Sequence, residues 1–218
     1  MKQNFKESLM RVGILLIGLI IAHLGVTLFL LADLGADPFN VLIQGLFRTL
    51  QSCIASPLLT HGNVHICISL MIILALLVID RKYIRIGTLL CMIFGGPIID
   101  AFSFLLTPLF QAIPGLVFKL IMLAMGCVIL AFGMTLVIKS EAGTGPNDLV
   151  AVVISEKTKK KFSWIRVAVD FSFVAIGFLL GGQIGIGTVI CAFLVGPVSG
   201  FFLPRSARIV QWWLSLRS

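Results

Sequence analysis

Hydrophobic residues fall into six long runs, separated by short polar stretches. The runs cover residues 12–32, 64–80, 86–106, 116–138, 164–182 and 186–204. Apolar runs of about 18 or more residues are typical of transmembrane helices, since a helix needs about 20 residues to cross the hydrocarbon core. The pattern therefore predicts an all-α, polytopic helical bundle with six membrane spans.

Two further apolar stretches, 38–50 and 146–157, are too short to be spans. Each follows a run closely and begins with a proline, Pro38 or Pro146. At 1.5 Å per residue, helices of this length reach only about 20 Å, against a hydrocarbon core of about 30 Å. We therefore predict one short extra helix after the first span and another after the fourth.

The composition is that of a membrane protein. Of the 218 residues, 59% are hydrophobic and only 12% are charged, and the mean hydropathy is +1.11. Soluble domains are about one quarter charged, so this chain lacks the polar surface to cover a globule in water. The net charge of +8 would suggest nucleic acid in a soluble protein. Here the basic residues stand between apolar runs, and nucleic acid is not an expected partner.

The basic residues also predict the orientation in the membrane. With six crossings and a cytoplasmic N-terminus, 15 of the 17 basic residues lie inside and only Arg48 and Lys119 lie outside. Membrane proteins carry an excess of basic residues in their cytoplasmic loops. The sequence therefore predicts two cytoplasmic termini, with loop 52–62 outside and loop 156–161 inside.

The second half of the chain repeats the first. Segment 18–38 aligns with 126–146 at a separation of 108 positions, and 84–102 aligns with 184–202 at a separation of 100. In the second pair, "IGTLLCMIFGGP" and "IGTVICAFLVGP" share Gly, Thr, Cys and Gly-Pro in register. Matches of this kind at a fixed separation indicate an internal repeat.

The repeat predicts two halves, residues 1–110 and 111–218, within one membrane domain. Each half holds three spans and one short helix. Because three is an odd number, the halves enter the membrane from opposite sides. Inverted repeats of this kind build many secondary transporters, although duplication also occurs in channels and scaffolds.

Each short helix is preceded by a Gly-x-x-Pro turn, which we name the first elbow (residues 33–37) and the second elbow (residues 141–145). Glycine permits a sharp reversal, and proline suits the first turn of a helix. An aspartate directly before that proline is typical of an N-cap. The second elbow has Thr144 or Gly145 at the cap position. The candidates for substrate binding or gating are Gly35, Asp37, Pro38, Asn40, Gln44, Gly143, Thr144, Gly145, Pro146, Asn147 and Asp148.

The short helices are either interfacial, lying along the membrane surface, or re-entrant, dipping toward its centre. Asn40, Gln44 and Arg48 follow at intervals of four and form one polar stripe. Such a stripe suits a helix that faces headgroups, and it also suits one that faces a wet cavity. A half-helix N-terminus carries partial positive charge, which favours an anionic group of a ligand.

Two Gly-Pro pairs stand inside the third and sixth spans: Gly96 with Pro97, and Gly196 with Pro197. Proline within a helix removes a backbone hydrogen bond and clashes with the preceding turn. We therefore expect these spans to kink or break, and the four residues are further binding or gating candidates.

Four acidic residues are candidates for coupling or charge. Asp33 and Glu141 end the first and fourth spans on opposite sides, as paired gates or duplicated caps would. Asp100 lies about six residues from the end of the third span and Asp170 about six into the fifth. A carboxylate at such depth is costly and is a functional candidate by default. Asp170 either carries protons or pairs with Arg166, four residues before it.

Motifs for chemistry are missing from the sequence. It contains no phosphate-binding loop, dinucleotide fingerprint or nucleophile elbow. We therefore expect no enzymatic activity, no cofactor and no metal site.

The stretches "LGADPFNVLIQGL", "IGTLLCMIFGGPIIDAF", "AGTGPNDLV" and "IGTVICAFLVGPVSGFF" resemble the YczE/YyaS/YitT group of bacterial membrane proteins, closest to its YczE-like branch. The resemblance covers most of residues 12–204. It implies a multi-pass protein of the bacterial cytoplasmic membrane and points to no substrate. The second Gly-Pro motif has Gly200 where the first has Asp100, which weakens any role that requires both acids.

Two functions follow from these observations. The first is a secondary transporter or permease for a small solute, working by alternating access of inverted halves. The second is a membrane regulator or scaffold that transports nothing. The expected partners are the lipid bilayer and an unidentified solute, with a second copy or another membrane protein as further candidates.

Overall fold

A computed structural model describes residues 5–53, 59, 61–79, 81–112 and 115–215. In these ranges the chain forms eight α-helices and no strand, which confirms the all-α class. A 3₁₀ turn, Arg81–Tyr83, lies between the third and fourth helices. The helices are α1 Phe5–Ala32, α2 Pro38–Cys53, α3 His61–Ile79, α4 Ile86–Ala112, α5 Leu116–Ser140, α6 Pro146–Thr158, α7 Phe162–Leu179 and α8 Ile186–Ser215.

Five helices are long and apolar enough to cross a membrane: α1, α4, α5, α7 and α8. The remaining predicted span, 64–80, corresponds to α3, whose apolar part Asn63–Ile79 is shorter than the other five helices. Several helices run beyond the predicted spans, since α1 begins at Phe5 and α8 ends at Ser215. Hydropathy marks the part of a helix that suits lipid, whereas backbone hydrogen bonding continues into polar sequence.

The short helices begin at the predicted prolines, Pro38 and Pro146. Burial falls along both of them. Residues 38 to 43 of α2 are buried apart from Asn40, whereas 48 to 53 are all exposed. The start of each short helix therefore lies deep in the protein, and its end lies at the surface.

The core is built on the crossing of α1 and α5. A Cβ atom added to Gly18 would lie 3.0 Å from the carbonyl oxygen of Gly133, and one added to Gly126 would lie 2.7 Å from that of Gly25. Glycine at these positions lets the two backbones touch, as small residues do in membrane helix pairs. Because Gly18 faces Gly133 while Gly25 faces Gly126, α1 and α5 are antiparallel.

The Gly-Pro pairs do not break their helices. Helix α4 continues through Pro97, and α8 continues through Pro197, so a break at either proline is excluded. One proline removes one backbone hydrogen bond, and the rest of the ladder holds the helix together. The two sites also differ in packing. Gly196 contacts Ser163 and Val167 of α7, whereas Gly96 faces open space.

Candidate functional site

The first elbow has the backbone that its sequence predicts. Asp33 and Gly35 both have positive φ, 52° and 135°, and the chain then runs extended into α2. Asp37 is the N-cap. Its Oδ1 accepts a hydrogen bond from the Asn40 backbone N–H at 3.2 Å, and its Oδ2 accepts one from Asn40 Nδ2 at 2.5 Å. Pro38 takes the first helical position, where no N–H is needed.

This elbow is fastened to the start of α8. The Leu34 carbonyl accepts a hydrogen bond from the Gly187 N–H at 2.8 Å. The Ala36 carbonyl accepts one from Thr188 Oγ1 at 2.6 Å. A Cβ atom on Gly35 would lie 2.8 Å from the Gly185 Cα. The glycine is therefore required by close contact as well as by its φ angle.

The second elbow repeats this backbone. Glu141 and Gly143 have φ of 56° and 137°, and the Gly87 N–H of α4 donates to the Ala142 carbonyl at 2.9 Å. Gly145, rather than Thr144, is the N-cap, and no side chain caps α6.

The side-chain contacts of the two elbows differ. Thr88 occupies the position equivalent to Thr188, 100 residues earlier, yet its hydroxyl is buried without a hydrogen-bond partner among the described residues. The hydroxyl of Thr144 is also buried without a hydrogen-bond partner among the described residues. The hydroxyl-to-carbonyl bond made at the first elbow is therefore absent at the second.

A buried charge cluster lies beside the second elbow. Arg166 Nε donates to Asp170 Oδ2 at 2.9 Å, and Arg166 Nη1 donates to Asp148 Oδ1 on α6. Arg166 is 7% exposed and Asp170 only 1%. Asp37 of the first elbow lies within electrostatic range of Asp170. Carboxylates of α6 and of the first elbow therefore lie near the middle of α7, where Asp170 stands.

One pocket, of about 670 Å³, adjoins the first elbow. It lies between the end of α1, the elbow, α2 and the α7–α8 turn. Within it Gln44 Oε1 accepts a hydrogen bond from the Gln183 N–H at 2.6 Å. The lining residues are Leu30, Asp33, Gly35, Ala36, Gln44, Phe178, Gly182, Gln183, Ile184 and Gly185.

A second pocket, of about 300 Å³, adjoins the second elbow. It carries more charge than the first, with three basic and two acidic side chains. The lining residues are Lys82, Tyr83, Arg85, Ile138, Lys139, Glu141, Gly143, Thr144, Leu149, Val152 and Glu156.

The two pockets are lined by equivalent positions of the sequence repeat. Leu30, Asp33, Gly35, Ala36 and Gln44 line the first pocket, and the residues 108 positions later line the second. Gly182, Gln183 and Gly185 line the first, and the residues 100 positions earlier line the second. The pair of pockets could not be predicted from the sequence repeat alone.

Glu141 is held by α1. Arg11 Nη1 contacts Glu141 Oε2 at 3.0 Å and also donates to the Ser140 carbonyl at 3.1 Å. The same guanidinium pairs with Glu7 at 2.9 Å. Arg85 donates to the Glu141 carbonyl from the other side. Two arginines therefore tie the second elbow to the starts of α1 and α4.

Several predicted site residues lie away from this centre. Asp100 is exposed on α4, and because α4 extends to Ala112 the residue stands near the middle of the helix, not close to its end. Gly96 and Pro97 are also exposed, while Pro197 lies at the surface beside buried Gly196. Asn147 is half-buried, with its Oδ1 close to Gly145.

The sequence offered Arg166 only as an alternative partner of Asp170 and counted it among the cytoplasmic basic residues, so it was not among the predicted site residues. It lies within α7 and is buried. The available signal was an arginine inside a predicted span, four residues before an aspartate. Of the alternatives for Asp170, the structure contains the pairing with Arg166. The Asp148 partner, 18 residues away in sequence, could not be predicted.

The comparisons with known proteins agree with a bacterial membrane protein. A model described as a family of unknown function, DUF6198, matches residues 9–204. The "Uncharacterized membrane protein YczE" of Bacillus subtilis is 30% identical over 214 residues, which cover 98% of this chain and 94% of that protein. The "Uncharacterized protein YyaS" of the same organism is 26% identical over 192 residues, covering 88% and 92%. An "Uncharacterized protein" of Haemophilus influenzae is 30% identical over 200 residues, covering 91% and 85%. No solved structure matches the chain.

Proposed function

The chain belongs to the DUF6198 family, and from its paired pockets we propose that it is a secondary transporter or permease for a small solute. It lies in the bacterial cytoplasmic membrane and works by alternating access of two inverted halves. The observation that carries the proposal is the pair of pockets at the two elbows, lined by equivalent positions. Alternating access requires one vestibule on each side of a common centre.

The antiparallel crossing of α1 and α5 supports the inverted arrangement. These helices occupy equivalent places in the repeat, with Gly18 and Gly25 of α1 aligned on Gly126 and Gly133 of α5. A repeat of the same orientation would make the equivalent helices parallel. The contact of Gly18 with Gly133 corresponds, under the repeat, to that of Gly126 with Gly25. Such reciprocity is the property of a two-fold axis.

The two elbows differ in their ion pairs, as two gates in opposite states would differ. Arg11 pairs with Glu141 at the second elbow. The equivalent residues at the first elbow are Lys119 and Asp33, and among the described residues neither has an ion-pair partner. In the opposite state, Lys119 pairs with Asp33, and Arg11 releases Glu141.

The hydroxyl contacts also exchange, each in the opposite sense to the ion pair at the same elbow. Thr188 now bonds the Ala36 carbonyl, and in the opposite state it releases this carbonyl. Thr88 then bonds the carbonyl of Thr144, which is equivalent to Ala36. Each state therefore lacks the contacts that the other state makes, and the two states have similar energies. A ligand that binds one state only modestly more tightly then shifts their populations.

The bias of basic residues toward cytoplasmic loops gives the orientation in this proposal. The first pocket opens to the outside and the second to the cytoplasm, with both termini in the cytoplasm. The spans include α3 as a sixth crossing. The partners are lipid and a small solute, and the protein has no enzymatic activity.

The test compares labelling at two equivalent positions. Gln44→Cys places a thiol in the first pocket and Val152→Cys places one in the second, with the exposed Cys53 and Cys67 replaced by serine. A membrane-impermeant maleimide is added to one side of oriented vesicles at a time. Arg11→Gln removes the pair with Glu141. Arg208→Gln is the control, since it removes an exposed arginine in the last part of α8.

We expect Arg11→Gln to raise the labelling rate at position 152 from the cytoplasmic side and lower it at position 44 from the outside. The two rates move in opposite directions because opening one gate closes the other. Arg208→Gln leaves both rates unchanged. Independent rates at the two positions, or labelling of both from the same side, would overturn alternating access and favour a regulator or scaffold.

A further inference from the structure

The cluster around Arg166 contains more carboxylates than cations. Arg166 binds Asp148 and Asp170, and Asp37 lies within electrostatic range of Asp170. Three carboxylates against one guanidinium leave a surplus of negative charge inside the bundle. Removing an uncompensated charge from water costs several kcal/mol per ion. The arrangement therefore calls for a further positive charge.

Asp170 has the free oxygen that can take this charge. Its side chain is 1% exposed, and its Oδ2 accepts the hydrogen bond from Arg166. Its Oδ1 is buried and has no hydrogen-bond partner among the described residues. Both oxygens of Asp37 are occupied by Asn40. Asp170 is therefore the cluster member with an unused acceptor away from water.

The groups that face Asp170 from neighbouring helices supply no cation for that oxygen. Asp148 comes from α6, Asp37 from the turn before α2 and Cys191 from α8. His23 of α1 lies within electrostatic range of Asp148, and its Nδ1 lies 2.8 Å from the Leu19 carbonyl oxygen. Arg48 of α2 is engaged with the Gly181 carbonyl at the far end of α7.

We propose that Asp170 Oδ1 binds a proton taken up from water, and that this proton is the coupling ion of the proposed transporter. An O–H bond forms on Oδ1, the carboxylate becomes a neutral carboxyl group, and no covalent bond breaks. A proton needs one lone pair. A sodium or calcium ion needs several oxygen ligands, and the cluster has one unoccupied oxygen on Asp170 beside a guanidinium that repels a second cation.

Protonation changes how the helices are tied together. With Asp170 charged, Arg166 links α7 to α6 while being attracted to both carboxylates. With Asp170 neutral, the guanidinium is held by Asp148 alone, in the first turn of the short helix α6. The proton therefore alters the contact between α7 and the second elbow, the element that the proposed function requires to move.

The experiment detects the protonated carboxyl group directly. Infrared difference spectra of the purified protein are recorded through a titration from alkaline to acid pH, and the carbonyl stretch of a water-shielded carboxylic acid is followed. The variants are Asp170→Asn and, as a matched control, Asp100→Asn, which removes an exposed carboxylate in another membrane helix. Asp170→Glu retains a carboxyl group in case the asparagine variant does not fold.

We expect the wild-type band to appear on acidification, to be lost in Asp170→Asn, to persist in Asp100→Asn and to shift in frequency in Asp170→Glu. Replacing potassium by sodium at constant pH leaves it unchanged. A wild-type protein without the band, a band that persists in Asp170→Asn, or one that sodium removes would overturn the proton site. Because labelling at positions 44 and 152 tests alternating access separately, transport can survive the failure of this site.

Discussion

Replacement of Gly143 by alanine tests two constraints at the second elbow: its left-handed backbone and its close contact with α4. The φ of Gly143 is 137°, and holding an L-residue in such backbone costs about 1–3 kcal/mol. The new Cβ atom would also lie 2.5 Å from the Thr88 backbone nitrogen. Forcing atoms into packed surroundings costs about 1–3 kcal/mol more. The expected loss is therefore about 2–6 kcal/mol in the free energy of unfolding.

Three other glycines provide matched controls. Gly181 has φ of 89° with open space around it, so its alanine variant should lose only the backbone part, about 1–3 kcal/mol. Gly25 has ordinary helical backbone but would place a Cβ 2.5 Å from the Gly126 carbonyl oxygen, so only the contact part applies. Gly13 has neither constraint, and its alanine variant should gain up to about 1 kcal/mol, because alanine favours helices over glycine.

The measurement is the free energy of unfolding of the purified protein, taken from denaturant titrations in one detergent. The expected order of stability is Gly13→Ala at or above wild type, Gly181→Ala and Gly25→Ala below it, and Gly143→Ala lowest. Equal effects at Gly143 and Gly13 would refute the reasoning, because the backbone and the contact would then both be unimportant. A Gly181 effect as large as that of Gly143 would refute only the contact with Thr88.

Three further outcomes are expected. Arg166→Met should lower the free energy of unfolding by about 3–5 kcal/mol, because it leaves buried Asp170 and half-buried Asp148 unpaired. The double variant Arg166→Met/Asp170→Asn should recover part of this loss, and strict additivity of the two single effects would contradict the pairing. Thr188→Val should cost about 1–3 kcal/mol, since it leaves the Ala36 carbonyl without its donor, whereas Thr88→Val should be close to neutral; equal losses would show that the elbows are closed alike. Native Cys53, which is exposed, should react with an impermeant maleimide outside intact cells, and reaction only after permeabilisation would reverse the orientation.

The local features of the fold could be predicted from the sequence because they depend on neighbours along the chain. Runs of apolar residues predicted helices at all six spans, and Pro38 and Pro146 marked the starts of the short helices. Asp37 is the N-cap, as predicted, because an N-cap contacts a backbone group only three residues away. The positive φ of Gly35 and Gly143 likewise follows from a turn that glycine alone permits at low cost.

The tertiary structure decided what those elements meet. Arg166 and Asp170 are close in sequence, but the ion pair of Arg166 with Asp148 depends on how α6 packs against α7. The pockets and the unequal closure of the two elbows depend on contacts between segments about 55 to 150 residues apart. Examples are the contacts of Arg85–Thr88 with the second elbow and of Gly185–Thr188 with the first. The hydropathy of an apolar helix is similar on all its faces, so the sequence leaves open which face meets lipid and which meets another helix. In α1 and α5, the faces that carry glycines such as Gly25 and Gly133 meet each other, because the lack of a side chain there allows the two backbones to touch.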